Sequence, residues 1–113
     1  MKTGMEKRQI NDLFSRALHF LGLELQWHPL IQTFNLVWEF DRTKCVICYR
    51  NGNWMTDVTF SSPTQAGLTF LKDLVSGSIT SFGNTSRLEC VKNPFKDLGS
   101  LEALQIFLDI NEK

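Results

Sequence analysis

The sequence predicts an α+β fold in which an antiparallel sheet is covered on one face by helices, in the order α-β-β-β-α-β-β-α. Apolar and polar residues alternate along residues 33–60, which predicts a three-stranded meander. The same alternation on both sides of a turn predicts a hairpin over residues 78–92. Apolar stripes at helical spacing lie before, between and after these strands. With 113 residues, we expect residues 1–113 to form a single compact domain.

The first and last helices are predicted from their apolar stripes and from residues typical of helix ends. The first covers residues 6–21 and stops at Gly22, because glycine tolerates the positive φ that follows a helix. Ser100 is placed to cap the last helix, which we expect to run to about Ile110.

The second helix has the most strongly marked start. Ser62 supplies an N-cap, Pro63 occupies the first helical position, and Gln65 is placed for a capping box. Gly77 ends the apolar stripe. We therefore expect a helix between Ser62 and Gly77 that packs on the meander.

The register of the meander follows from two turns, at residues 41–42 and at Asn51-Gly52. The cross-strand pairs that these turns predict are Tyr49 with Trp54, Ile47 with Thr56, Cys45 with Val58, and Glu39 with Lys44. One face then carries the large apolar side chains, and we expect the helices to cover it. Those residues are Phe34, Leu36, Trp38 and Phe40 with Cys45, Ile47, Tyr49, Trp54 and Val58. Residues 23–27 alternate in the same way, which predicts a short extra strand that Pro29 terminates. The sequence does not say whether this strand joins the sheet.

The composition narrows the kind of partner. Twelve basic and twelve acidic residues cancel, so no net field attracts nucleic acid or an anionic membrane. The chain lacks the apolar core of a signal peptide and an apolar run of about 20 residues that could cross a bilayer. Three cysteines, an odd number outside any disulfide framework, are typical of a reducing compartment. These features predict a cytoplasmic protein.

Cys45 and Cys48 have the spacing of a metal or redox pair, but residues three apart on a strand point to opposite faces. We interpret these thiols as small buried apolar groups, and Cys90 as an isolated residue that fills the core or an edge. Neither His19 nor His28 has a nucleophile or carboxylate at a catalytic spacing. We therefore expect no catalytic residues, no metal and no cofactor. An enzyme whose residues converge only in space, around Asp57, His28 or Cys48, is an alternative.

The meander face turned away from the helices is the candidate binding surface. Its predicted site residues are Val37, Glu39, Lys44, Val46, Cys48, Arg50, Met55 and Asp57. Four of these give an apolar centre and four a charged rim, which is the composition of a modest protein interface. The sequence thus predicts a small non-enzymatic module that binds another protein, as an inhibitor, immunity protein, adaptor or chaperone, or that forms a homodimer. An ordinary solvated sheet face is the competing interpretation of the same residues.

A second hypothesis is nucleic-acid binding through a local basic strip made of Arg42, Lys44 and Arg50. Such binding should weaken steeply with added salt. The neutral charge of the whole chain makes nucleic acid the less favoured partner.

The chain resembles two known families in the order of its predicted helices and strands. Helix, meander and helix over residues 6–76 resemble double-stranded-RNA-binding domains, which implies phosphate contacts from lysines at the start of the second helix. Here that start reads Ser-Pro-Thr-Gln at residues 62–65, and the next basic residue is Lys72. With the hairpin and last helix included, the chain is similar to small type III secretion chaperones. Those are usually acidic dimers that hold an unfolded stretch of a client, whereas this chain is neutral.

Overall fold

The computed structural model describes residues 5–50, 53–54, 60–83 and 90–112, with the side chains of 40, 49–50 and 53–54 outside the description. The elements are α1 (Lys7–Leu21), β1 (Glu24–His28), β2 (Thr33–Phe40), β3 (Thr43–Arg50), β4 (Asn53–Trp54), α2 (Pro63–Ser76), β5 (Ser81–Gly83), β6 (Cys90–Lys92) and α3 (Leu101–Asn111). The α+β class, the antiparallel pairing and the helices on one face are as predicted.

Strands β1 to β4 form one antiparallel sheet in the order β1-β2-β3-β4. Glu39 lies opposite Lys44 and Tyr49 opposite Trp54, so the predicted register of β2, β3 and β4 is confirmed for these pairs. The predicted partners Thr56 and Val58 lie outside the described residues. The extra strand β1 joins the sheet beside β2, and β5 pairs with β6 in a second, two-stranded sheet.

The turn between β2 and β3 determines their register. Phe40 pairs with Thr43, and the two residues between them both have positive φ, 51° at Asp41 and 64° at Arg42. Positive φ at both central residues is the backbone of a type I′ turn, whose twist matches that of the flanking strands. The two-residue turn therefore aligns β2 with β3 along their full length.

The core lies between the three helices and one face of the sheet, which we call the inner face. Phe34 and Leu36 of β2 are fully buried there, and Trp38 is 5% exposed. The ring of Phe34 lies 5.9 Å from those of Phe14 in α1 and Phe70 in α2. The predicted cover over the apolar face is confirmed for these side chains, and it is aromatic on both sides.

The two longer helices approach closely at a glycine. A Cβ atom at Gly67 of α2 would lie 2.8 Å from Cδ2 of Phe14 in α1. Only hydrogen at this position leaves room for the phenylalanine ring. The absence of a side chain at Gly67 therefore sets the distance between α1 and α2.

Side-chain caps define where α2 and α3 begin. The Ser62 hydroxyl accepts a hydrogen bond from the Gln65 amide at 3.2 Å, and the Ser100 hydroxyl one from the Ala103 amide at 3.1 Å. The Gln65 side chain accepts from the Ser61 amide at 2.6 Å, one residue earlier than a capping box requires.

None of the described helices is long and apolar enough to cross a bilayer.

An ion pair joins α3 to α1. The Arg16 guanidinium lies 2.5 Å from the carboxylate of Asp109 and 2.9 Å from that of Glu112. The hydrogen bond to Asp109, supported by Glu112, raises the pKa of Arg16 above its ordinary value. This solvent-exposed contact links the end of α3 to α1.

Candidate functional site

The face of the four-stranded sheet turned away from the helices is the outer face. In β1–β3 its described positions are Glu24, Gln26, His28, Thr33, Asn35, Val37, Glu39, Lys44, Val46 and Cys48. Five of the eight predicted site residues lie on it, namely Val37, Glu39, Lys44, Val46 and Cys48. The Arg50 side chain, Met55 and Asp57 lie outside the described part of the chain. Strand pairing therefore brings the described members of the predicted site onto one surface.

Val37 contributes less to this surface than the sequence predicts. It is only 5% exposed, and its neighbours on the adjacent strands are Glu24 of β1 and Val46 of β3. Alternation alone does not reveal this, because it specifies the face on which a residue lies but not how far that residue is buried. In the described residues, the apolar part of the predicted site that solvent reaches is Val46, 40% exposed, with half-buried Cys48 beside it.

The end of the outer face near the β1–β2 turn is occupied by its own polar contacts. The Asn35 side-chain amide donates to Nε2 of His28 at 3.1 Å. The Cys48 thiol lies 4.0 Å from the hydroxyl of Thr33, which is 1% exposed. These contacts link side chains of neighbouring strands at this end of the outer face.

The opposite end of the outer face carries charges without partners. Glu39 and Lys44 are directly opposite each other and exposed, yet neither forms an ion pair within 4.0 Å in the described part of the chain. Glu24, across from Val37 on β1, is also exposed and unpaired there. A partner can therefore meet these groups without first breaking an internal salt bridge.

A groove opens at this charged end, and we call it the notch. Its volume is about 480 Å³, and it is lined by His19, Gly22, Leu23, Glu24, Val37, Trp38, Glu39 and Lys44. It forms because β1 begins opposite Val37, so β2 extends three residues beyond it. Three lining residues are predicted site residues, and the other five escaped sequence reasoning. Only the starting point of β1 in the sheet register could have revealed them.

Trp38 gives the notch an unusual wall. Its side chain is 5% exposed, and its indole nitrogen is buried without a hydrogen-bond acceptor among the described residues. Buried N–H groups normally have partners, and leaving one without costs about 1–3 kcal/mol. The unpartnered indole N–H thus belongs to a residue that lines the notch.

The turn between β1 and β2 projects two aliphatic side chains into solvent. Leu30 is 98% exposed and Ile31 54% exposed. The turn is held by a hydrogen bond from the Gln32 amide to the His28 carbonyl at 2.8 Å. Leu30 and Ile31 therefore add apolar surface at the end of the sheet opposite the notch.

The two cysteines of the predicted strand pair lie on opposite faces, as the alternation implies. Cys45 is fully buried in the core, and Cys48 is half-buried on the outer face. Both are free thiols, as is exposed Cys90. The prediction of a buried thiol is confirmed for Cys45 and wrong for Cys48, because Cys48 lies on the face that the helices do not cover. Within the described ranges, no group of three or more His, Cys, Asp or Glu side chains is placed to hold a metal.

The predicted basic strip is described only in part, because the side chain of Arg50 lies outside the described residues. Arg42 is exposed in the β2–β3 turn, and Lys44 is exposed opposite Glu39, whose charge offsets its own. The nucleic-acid hypothesis therefore stays a prediction. Comparisons with protein-family models, with curated proteins and with solved structures give no match to this chain.

Proposed function

We propose that this protein is a non-enzymatic module that binds another protein through the outer face of its four-stranded sheet. The observation that supports the proposal is that the helices pack on the inner face of the sheet and leave the outer face uncovered in the described residues. The outer face keeps Val46 accessible beside Glu39 and Lys44, which have no ion partners in the described residues. A small apolar contact next to free charges of both signs suits a partner with a complementary pattern.

The balance of forces on this face favours a specific interface of modest affinity. Full burial of an exposed valine contributes about 1.5–3 kcal/mol, and covering Val46, which is only 40% exposed, contributes a fraction of that, so the apolar contact alone is insufficient. Glu39 and Lys44 would add orientation and association rate more than affinity. The exposed aliphatic pair Leu30 and Ile31 extends the apolar contact for a partner that spans the sheet. Such a surface is compatible with the role of an inhibitor, immunity protein, adaptor or chaperone. The three free cysteines favour a cytoplasmic location for any of these roles.

Paired substitutions test this proposal. Tagged wild-type protein would be purified from cells of the source organism, and the co-purifying protein identified by mass spectrometry and produced recombinantly. Calorimetry would then compare its binding to the wild type, Val46→Glu, the near-isosteric Val46→Thr, and Ile106→Glu. Ile106 is a matched control because it is 59% exposed on α3, away from the sheet.

We expect Val46→Glu to weaken binding at least about tenfold, because the carboxylate must be desolvated. Val46→Thr and Ile106→Glu should bind within about threefold of the wild type. Loss of binding in Ile106→Glu with full binding in Val46→Glu would overturn the proposal. Light scattering of the same samples tests the homodimer: a wild-type dimer that Val46→Glu converts to a monomer would identify a second copy as the partner on this face.

A further inference from the structure

We propose that the notch receives an extended segment of the partner, which adds beside the end of β2 and places a lysine or arginine between Glu24 and Glu39. This docking mode deepens the proposed function and rests on it. Its basis is an open strand edge, a groove with an apolar wall, and two carboxylates without ion partners in the described residues.

The open edge is the first element. β1 starts at Glu24, opposite Val37, so residues 38–40 of β2 pair only with β3 in the described part of the chain. Leu23 and Gly22 leave the line of β1 and instead bond back to α1 through the carbonyls of Leu18 and His19. An exposed strand edge offers backbone donors and acceptors to an added strand. The notch supplies the space for a short one.

The alternation of an added strand determines its side chains. A guest residue opposite Trp38 would face the inner side, beside Trp38 and Leu23, where an apolar side chain fits. The next guest residue, opposite Glu39, would face the outer side. The notch thus favours an apolar residue followed or preceded by an exposed polar one.

Charge selects the outer guest residue. It would lie directly across from Glu39 and in line with Glu24, which pairs with Val37. Lys44 lies beyond Glu39 on β3, roughly 10 Å from the guest strand at two strand spacings, so its repulsion is the weaker effect. A guest lysine or arginine gains two carboxylate neighbours, whereas a guest glutamate meets two like charges.

Two capped pentapeptides test this inference. One has the sequence Ser-Val-Lys-Val-Ser, and the control has glutamate in place of lysine. Each would be titrated at low ionic strength into ¹⁵N-labelled protein, with the amides of residues 37–40 and the Trp38 indole N–H as reporters. Glu24→Gln/Glu39→Gln keeps the shape of the notch and removes both charges.

We expect the lysine peptide to shift the amides of residues 38–40 and to bind about fivefold more tightly than the glutamate peptide. In Glu24→Gln/Glu39→Gln the preference for the lysine peptide over the glutamate peptide should disappear. Binding that depends on the strand edge and the apolar wall should be similar for both peptides. Absence of shifts at residues 38–40 at millimolar peptide, or equal binding of both peptides to the wild type, would overturn the inference.

The outcome can be separated from that of the proposed function. If the notch inference fails alone, the purified partner still loses affinity for Val46→Glu, whereas the lysine pentapeptide either leaves the amides of residues 38–40 unshifted or binds no more tightly than the glutamate pentapeptide. If the proposed face fails alone, the lysine peptide occupies the notch while Val46→Glu binds the partner normally.

Discussion

The two faces of the four-stranded sheet are built from the same strands yet have opposite physical character. Cys45 and Cys48 show this within one strand, since Cys45 is fully buried in the core and Cys48 is half-buried on the outer face. On the inner face, aromatic rings interlock with both longer helices. The outer face carries polar contacts at one end and unpaired charges at the other. The inner face therefore provides stability, and we propose that the outer face provides binding.

The largest expected effect comes from emptying the inner face. Phe70 is fully buried, and its ring lies 5.7 Å from Phe14, 5.9 Å from Phe34 and 5.7 Å from Phe82. Phe70→Ala should lower the free energy of unfolding by about 3–5 kcal/mol, through lost burial and the cavity left behind. Urea unfolding followed by circular dichroism measures this loss.

The matched substitution on the outer face is Val46→Ala. Because Val46 is 40% exposed, we expect its free energy of unfolding to change by only about 0.5 kcal/mol. Similar losses in both variants would remove the distinction between the faces.

A smaller effect sharpens the comparison within the helical layer. Gly67→Ala brings a methyl group 2.8 Å from the ring of Phe14, which Phe34 and Phe70 hold in place. The free energy of unfolding should fall by about 1–3 kcal/mol despite the better helix propensity of alanine.

A double-mutant cycle with Phe14→Leu checks this cause. If the clash is responsible, adding Gly67→Ala to the leucine variant should have a much smaller effect than adding it to the wild type. An unchanged increment would mean that the loss arises elsewhere.

Much of the sheet could be predicted from the sequence because period-two alternation and a short turn fix the register. The Glu39–Lys44 pair follows from the two-residue turn at Asp41 and Arg42. The burial of Val37 could not be predicted in this way. It depends on where β1 enters the sheet, and alternation alone does not say which strand a short segment joins.

The notch was missed for the same reason. It is built from a difference in strand length between β1 and β2, and from residues at the end of α1 that approach it only in three dimensions. The burial of Trp38 follows from the alternation, which predicts it on the apolar face. Its unpartnered indole N–H depends on the positions of all neighbouring acceptors, which no sequence pattern specifies.

The most direct test of the outer face as the binding surface uses the native thiols, with no substitution. Iodoacetamide labelling followed by mass spectrometry would compare the free protein with its complex with the purified partner. Cys48 lies on the outer face, Cys90 is exposed on β6, and buried Cys45 serves as an unreactive internal standard. We predict that the partner slows labelling of Cys48 at least about tenfold and leaves Cys90 unchanged. Protection of Cys90 with undiminished labelling of Cys48 would contradict the account.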